Sequence, residues 1–294
     1  MNHPPRISVI VASVDRASEI ADLLIALQNQ TRKIDNTILS VVAESDLPPE
    51  NERTNAKVLF GPKGSCAQRN TGIDFVLEDS DYLVFFDDDY IPAGNAIERI
   101  LDFFERHPDV AGVTGHLIAD GIDGPGIKRD EALKLIEDYY KTEASNTETL
   151  KDLIGLYGCN MAFRASAIGS TRFDENLPLY GWQEDVDFAQ RIGNSGRLVG
   201  TNAFAGVHRG TKRARSSGTT LGYSQIANVV YLMRKGTMPP RMGLSLIARN
   251  FIANHLRMLY PEPWIDRKGR VLGNWRAIWH FCRKQIHPRN ILNF

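Results

Sequence analysis

Cysteine is scarce. Cys66, Cys159 and Cys282 are the only three in 294 residues, far apart and without a C-x-x-C pair. That excludes a disulfide framework and a cysteine cluster for zinc or redox chemistry, and it favours a reducing, cytoplasmic compartment. No run of about 18 uncharged apolar residues occurs, so no membrane-spanning helix is expected. The opening residues 1–10, MNHPPRISVI, lack a basic stretch followed by a long apolar one, so a secretory leader is not expected. Internal repeats and low-complexity tracts are missing. Net charge is missing as well, with 35 Lys/Arg against 35 Asp/Glu. With 43% apolar and 24% charged residues, the chain has the composition of a folded globular protein and not of a disordered one.

One absence is local. After His208 the acids almost vanish: residues 209–294 hold sixteen Lys/Arg against Glu262 and Asp266 alone, a balance of +14. Residues 1–208 therefore carry −14. Such a basic tail suits an anionic partner, whether a phosphorylated ligand, a nucleic acid or an anionic membrane surface, or it packs on the acidic body.

What is present is an alternation of strands and helices. Ile7–Ala12 is a short apolar, β-branched run that predicts a buried strand. Ile20, Leu23, Leu24 and Leu27 follow at the spacing of one helix face. Thr37–Val42, Lys57–Phe60 and Tyr82–Phe86 read as further strands, with helices at Cys66–Leu77 and around Ile97–Phe104. Val110–His116 and Tyr157–Phe163 read as strands, Glu184–Ile192 as a helix, and Arg197–Thr201 and Ala203–His208 as two short strands. The expectation is an α/β fold: a Rossmann-like, mostly parallel sheet flanked by helices over residues 1–220. A basic helical extension over 221–294 would follow, with helices near 221–235, 241–259 and 272–286. In such sheets ligands bind beyond the carboxyl ends of the strands, so the polar residues there are the ones to inspect.

The sharpest of these is LVFFDDDY, Leu83–Tyr90. Three carboxylates closing an apolar strand repel one another unless a cation neutralises them. Side chains alternate in extended chain, so Asp87 and Asp89 share a side. Two such oxygens suit Mg2+ or Mn2+ carrying a substrate phosphate. A second cluster, Glu184, Asp185 and Asp187, opens a helix just after Trp182. Acids favour helix N-termini for dipole reasons alone, yet a carboxylate beside an aromatic wall is also a good general base for an alcohol. Third, His208 ends a strand and leads into a basic loop with Arg209, Lys212, Arg213 and Arg215, an anion clamp beside a metal.

Taken together these residues resemble a family 2 glycosyltransferase with the A-type nucleotide-sugar fold, of the bacterial surface-polysaccharide kind. The resemblance runs from Ile7 to about Thr220. It rests on the polar turn Ala12–Arg16, the R-N-x-G segment at Arg69 and Asn70, and the D-x-D at Asp87–Asp89. It rests also on the segment Gly158–Arg164, the pair Glu184-Asp185 after Trp182, and His208 after the last core strand. The usual base-reading Asp after the second strand is replaced by Glu44-Ser45-Asp46, where Glu44 and Asp46 are both candidates.

The resemblance implies a metal-dependent, inverting hexosyltransferase. Asp87, Asp89 and His208 would hold Mn2+ or Mg2+. Ala12, Ser13, Arg16, Glu44, Asp46, Arg69, Asn70, Asp87, Asp88 and Arg213 would contact the nucleotide diphosphate sugar. Asn160 and Trp182 would face the acceptor. Asp185 would be the general base, with Glu184 beside it. A glycan or a lipid-linked acceptor is expected, no nucleic acid, and a peripheral place on the inner membrane face for the basic tail. Two other enzymes share parts of the pattern. A haloacid-dehalogenase-type phosphatase would use Asp87 as nucleophile and Asp89 as acid/base, but carries that motif near its start. A nucleotidyltransferase would need a Gly-rich basic loop after the first strand, where Ser13-Val14-Asp15 stands.

Overall fold

A computed structural model of the chain describes residues 4–53, 55–142, 147–213 and 217–294. The N-terminal half alternates as the periodicity predicts. Strand β1 (Ile7–Ala12), helix α1 (Ala17–Gln28), β2 (Asn36–Val41), β3 (Lys57–Phe60), α2 (Ser65–Val76) and β4 (Tyr82–Phe86) form a parallel unit ordered β3-β2-β1-β4. The two faces of β1 separate as a period of two requires. Val9 and Val11 join Leu23 and Leu27 of α1, while Ile10 joins Ile73 of α2. Gly72 lets α2 approach: a Cβ there would sit 2.5 Å from Ile10.

Beyond β4 the sheet is mixed, so the expected run of parallel pairs stops there. Strand β5 (Tyr90–Pro92) follows β4 after a tight turn, then α3 (Ala96–Arg106), β6 (Val110–Asp120), α4 (Arg129–Thr142), β7 (Leu150–Asp152) and β8 (Asn160–Arg164). A four-residue turn of helix, α5 (Ala165–Ile168), precedes α6 (Glu184–Ile192) and β9 (Arg197–His208). The sheet continues β4-β8-β6-β9-β5, with β7 also on β9. β8 is antiparallel to both β4 and β6, while β6 and β9 are parallel. The two short strands read in 197–208 are one strand of 12 residues, whose pairing with β6 slips at three places. Those irregularities let β9 pair with β7 at one end and with β5 at the other.

On the α2 face, four phenylalanines interlock: Phe85, Phe163, Phe173 and Phe188, the last two stacked with centroids 3.8 Å apart. Helices α7 (Gly218–Lys235), α8 (Pro240–Arg257) and α9 (Arg267–Cys282) end the chain. Val229 and Leu232 of α7 belong to this same core, and Asn228 Nδ2 donates to the Trp182 carbonyl at 2.9 Å. α9 lies against α7 nearly backbone to backbone. A Cβ on Gly222 would fall 2.1 Å from the Arg270 carbonyl oxygen, and one on Gly273 would fall 2.2 Å from that of Thr219.

Candidate active site

The ends of β1, β4, β6 and β9, the first turns of α2 and α6, and residues 209–213 converge at one edge of the sheet. The turn Asp87-Asp88-Asp89 is its centre, and its three carboxylates divide. Asp88 is buried and turns to β1, accepting from Ser13 Oγ at 2.5 Å and from Arg16 Nη1 at 2.8 Å. Asp87 and Asp89 turn the other way. With His208 they place one ligand atom each within 4.8 Å of one another.

The detail of Asp89 matters most. Its Oδ2 accepts from the Thr211 amide at 2.7 Å and from Thr211 Oγ1 at 3.1 Å. Its Oδ1 is buried, has no hydrogen-bond donor, and lies 3.3 Å from His208 Nε2. His208 is oriented from behind: Nδ1 and Asp120 Oδ1 are 2.8 Å apart, and Tyr157 Oη donates to the other Asp120 oxygen at 3.0 Å. Two carboxylates and one imidazole within 4.8 Å of one another, one of the carboxylate oxygens buried without a hydrogen bond, fit a hard divalent cation. The electrostatics agree. Burial disfavours the charged imidazole, but the hydrogen bond to Asp120 and the nearby charge of Asp89 outweigh it and push His208 up to about 10. Burial would raise Asp89, yet His208, Arg16 and the Thr211 amide hold its carboxyl well below the usual range. Asp88, buried and beside Asp89, is pushed up to about 7 despite Arg16. A cation must take the His208 Nε2 lone pair and displace its proton, so binding is coupled to pH.

Arg69 joins this cluster to the acidic helix start. Its Nη2 donates to Asp87 at 2.9 Å, and its Nη1 donates to Glu184 at 2.7 Å. Asp185 is held by backbone: Oδ2 accepts from Gly158 N–H at 2.9 Å and Oδ1 from Val186 N–H at 2.8 Å. Burial pushes both carboxyls up, Glu184 to about 7, with Asp185 adding and Arg69 opposing. The segment feeding them is strained. Leu179 (φ 58°) and Gln183 (φ 75°) adopt left-handed backbone without being glycine, either side of Gly181 (φ 72°). The Leu179 carbonyl accepts from the Ser65 amide at 2.8 Å, which ties this turn to the start of α2.

The remaining expected residues lie as follows. Ala12 closes β1, half-buried. Asp46 is buried and accepts from the amides of Val42, Ala43 and Asp15, each at 2.9 Å, whereas Glu44 is exposed and pairs with Arg53. Asn70 faces away from the cluster, bonded to the Phe173 backbone and to Glu175. Asn160 is fully buried, bonded to Thr114 and the Gly115 carbonyl. Trp182 is half-buried over the Phe188 core. Asp187 is spent on Arg191, Lys235 and Thr237. Of the basic loop, Arg209 pairs with Asp22 at 2.7 Å and Lys212 donates to the carbonyls of Gly121 and Ile122. Arg213 is exposed, and its carbonyl accepts from Arg16 at 3.0 and 3.1 Å. Arg215 lies outside the described residues.

Three residues of the site were not anticipated: Asp120, Tyr157 and Thr211. Asp120 was hidden because the strand read as ending at His116 runs on to it. A strand-end acid would have stood out had that run been extended.

The model of glycosyl transferase family 2 matches residues 8–170, more than half of the chain. Among solved structures, the chain is similar to the mannosyltransferase PcManGT of Pyrobaculum calidifontis in complex with GDP-Man and Mn2+. The TM-score is 0.54 at 15% identity, covering 99% of this chain and 86% of that one. It is similar also to residues 1–349 of S. aureus TarS, with TM-score 0.52 at 12% identity, covering 95% and 92%. Against a longer TarS structure it covers 53% of that chain. No curated protein sequence matches. At these identities the structural likeness speaks to the fold.

Proposed function

The chain belongs to glycosyl transferase family 2, and we propose that it moves a sugar from a nucleotide diphosphate sugar to an acceptor hydroxyl with inversion of the anomeric centre. Family membership sets aside the phosphatase and nucleotidyltransferase readings. The observation that carries the proposal is the gathering of Asp87, Asp89 and His208 ligand atoms within 4.8 Å of one another at the end of β4.

In this reading Asp87, Asp89 and His208 would hold Mn2+ or Mg2+, with Asp120 fixing the His208 ring. When bound, the ion draws charge from the departing diphosphate. Ala12, Ser13, Arg16 and Asp88 shape the donor side, since Arg16 already gathers Asp88 and the carbonyls of Thr211 and Arg213. Exposed Glu44, paired with Arg53, would meet the nucleotide base, and Asp46 shapes the turn beneath it. Asp185 removes the acceptor proton as the hydroxyl oxygen forms its bond to the anomeric carbon and the bond to the diphosphate oxygen breaks. Its two backbone hydrogen bonds fix its position, and distance to the hydroxyl governs such a step before pKa does. Arg69 couples the two halves by bridging Asp87 and Glu184. Trp182, half-buried just before the pair Glu184-Asp185, would face the acceptor. The acceptor is a glycan or a lipid-linked glycan, as in surface-polysaccharide assembly at the inner face of a membrane.

Thermal unfolding with nucleoside diphosphates and nucleotide sugars, in Mn2+ or in EDTA, tests this reading. A donor at about a hundred times its dissociation constant adds about 2.7 kcal/mol of stability. That gain should need Mn2+ and should disappear in Asp89→Asn. Equal donor affinity in Mn2+ and in EDTA would overturn it.

A further inference from the structure

Helix α8 is apolar on two sides. Met242, Leu246 and Ile247 cover the phenylalanine core, as an amphipathic helix should. Yet Leu244, Ile252 and Leu256 on the other side are 55–65% exposed. An open groove of about 510 Å³ runs along that side, lined by Ala248, Ile252, Ala253 and Leu256 together with Arg249 and Arg257. Leu259 and Tyr260 extend it at 70% and 90% exposure. α9 repeats the pattern with Leu272, Trp275 and Trp279, each about half exposed or more. Trp275 packs edge-on against Phe251 and His255 of α8, so the two faces are continuous. Twelve of the twenty large apolar side chains that are exposed among the described residues fall within residues 244–294.

The charge on this face is of one sign. Of its two acids, Glu262 is consumed by Arg257 and Arg267, and Asp266 caps α9 through the Gly269 amide at 2.8 Å. Arg241, Arg249, Lys268, Arg276, Arg283 and Lys284 have no carboxylate partner among the described residues. Arg283 instead lies over the Trp279 ring at 4.2 Å. Apolar side chains, indoles and unpaired arginines interleaved on one face are the composition of a surface that lies in the headgroup layer of an anionic bilayer. No helix of the described residues is long and apolar enough to cross one. A second copy meeting this face through a two-fold axis would bring like charges together.

We propose that the outer face of α8 and α9 docks on a membrane of anionic phospholipid. The segment between these helices is tied to the active-site edge. Trp264, between the two helices, donates from Nε1 to the Asp123 carbonyl at 3.3 Å. The loop carrying Asp123 is in turn bonded to the strand end that holds His208, Gly121 N–H donating to the His208 carbonyl at 2.8 Å. Docking therefore sets the catalytic edge beside the lipid surface, where a lipid-linked acceptor would lie. This last step rests on the glycosyltransferase reading, whereas the docking itself does not.

Flotation of the full chain with vesicles tests the docking without any assay of turnover. The chain should float with vesicles of equal parts phosphatidylcholine and phosphatidylglycerol at low salt. It should stay behind with phosphatidylcholine alone, and its binding should fall as salt rises. Arg249→Gln and Arg276→Gln should each weaken binding about 5-fold, the worth of one charge near such a surface. Ile252→Ser with Leu256→Ser should abolish flotation while leaving the thermal midpoint and Mn2+-dependent donor binding unchanged. Absence of flotation on anionic vesicles at low salt overturns the proposal. So does equal flotation on neutral vesicles. So does a concentration-dependent dimer that the Ile252→Ser, Leu256→Ser variant dissolves, since the face would then meet a second copy.

Discussion

The body and the tail of this chain are built inside out relative to each other. Through β9 the apolar side chains are interior and the carboxylates collect at the sheet edge, each held by a named donor: Asp88 by Ser13 and Arg16, Glu184 by Arg69, Asp185 by two amides. Among α7, α8 and α9 much of the interior is polar. Asn254 bonds to Gln225 and to Asn274, Arg267 donates to Asn254, and Asn274 donates to the Gly222 carbonyl, all of them buried. Large apolar groups of α8 and α9, among them Leu244, Ile252, Leu256, Leu272, Trp275 and Trp279, stand outside. Hydrogen bonds, glycine contacts and a small apolar cluster around Tyr223 and Ala277 hold the three helices together, and Val229, Leu232, Leu246 and Ile247 seat them on the phenylalanine core. The difference teaches that buried polar groups in both regions take fixed partners, whereas the apolar residues on the outer face of α8 and α9 take none from the fold.

Substitutions break or sharpen that contrast. The largest effect belongs to the sheet edge. Asp185→Asn should leave folding and donor binding near normal and lower turnover by about 10²–10⁴-fold, the worth of a general base. Wild-type turnover should also fall on the acid side, because burial raises the Asp185 carboxyl and the base works only when ionised. Steady-state kinetics across pH decide this, and an Asp185→Asn enzyme of undiminished rate would move the role to Glu184. Next comes one truncation made in two places. Ile100→Ala, fully buried beneath the sheet, should cost about 2–5 kcal/mol in denaturant unfolding.

Asp120→Asn should then weaken Mn2+ binding by about 10–100-fold, as loss of the carboxylate behind a metal-bound imidazole does. Electron paramagnetic resonance of free Mn2+ measures this without turnover. In the wild type that affinity should weaken as pH falls below about 10, because His208 then carries the proton that the ion must displace. Unchanged Mn2+ affinity in Asp120→Asn would show that the ring is positioned by other contacts. The smallest effect is the second half of the isoleucine pair: Ile252→Ala on the outer face of α8 should move stability by no more than about 0.5 kcal/mol. A large loss there would place Ile252 in the folding core and erase the contrast.

Much of the candidate site is legible in the sequence alone. Local rules sufficed for the alternating strands and helices around β1 and β4, for the shared side of Asp87 and Asp89, and for the helix that begins at Glu184. Each depends on neighbours a few residues away, through a period of two along a strand or of 3.6 along a helix. The +14 tail was likewise a matter of counting. Tertiary structure alone decided which polar groups meet. Arg69 reaches Glu184 across 115 residues, His208 meets Asp120 across 88, and Thr211 meets Asp89 across 122. It turned Asn70 and Asn160 inward, gave Asp46 to the backbone of its own turn, and sent Arg209 to Asp22. It also chose which of the two apolar sides of α8 would be covered. The physical reason is that a buried polar atom must find its partner wherever the folded chain supplies one, a global condition that no local period encodes.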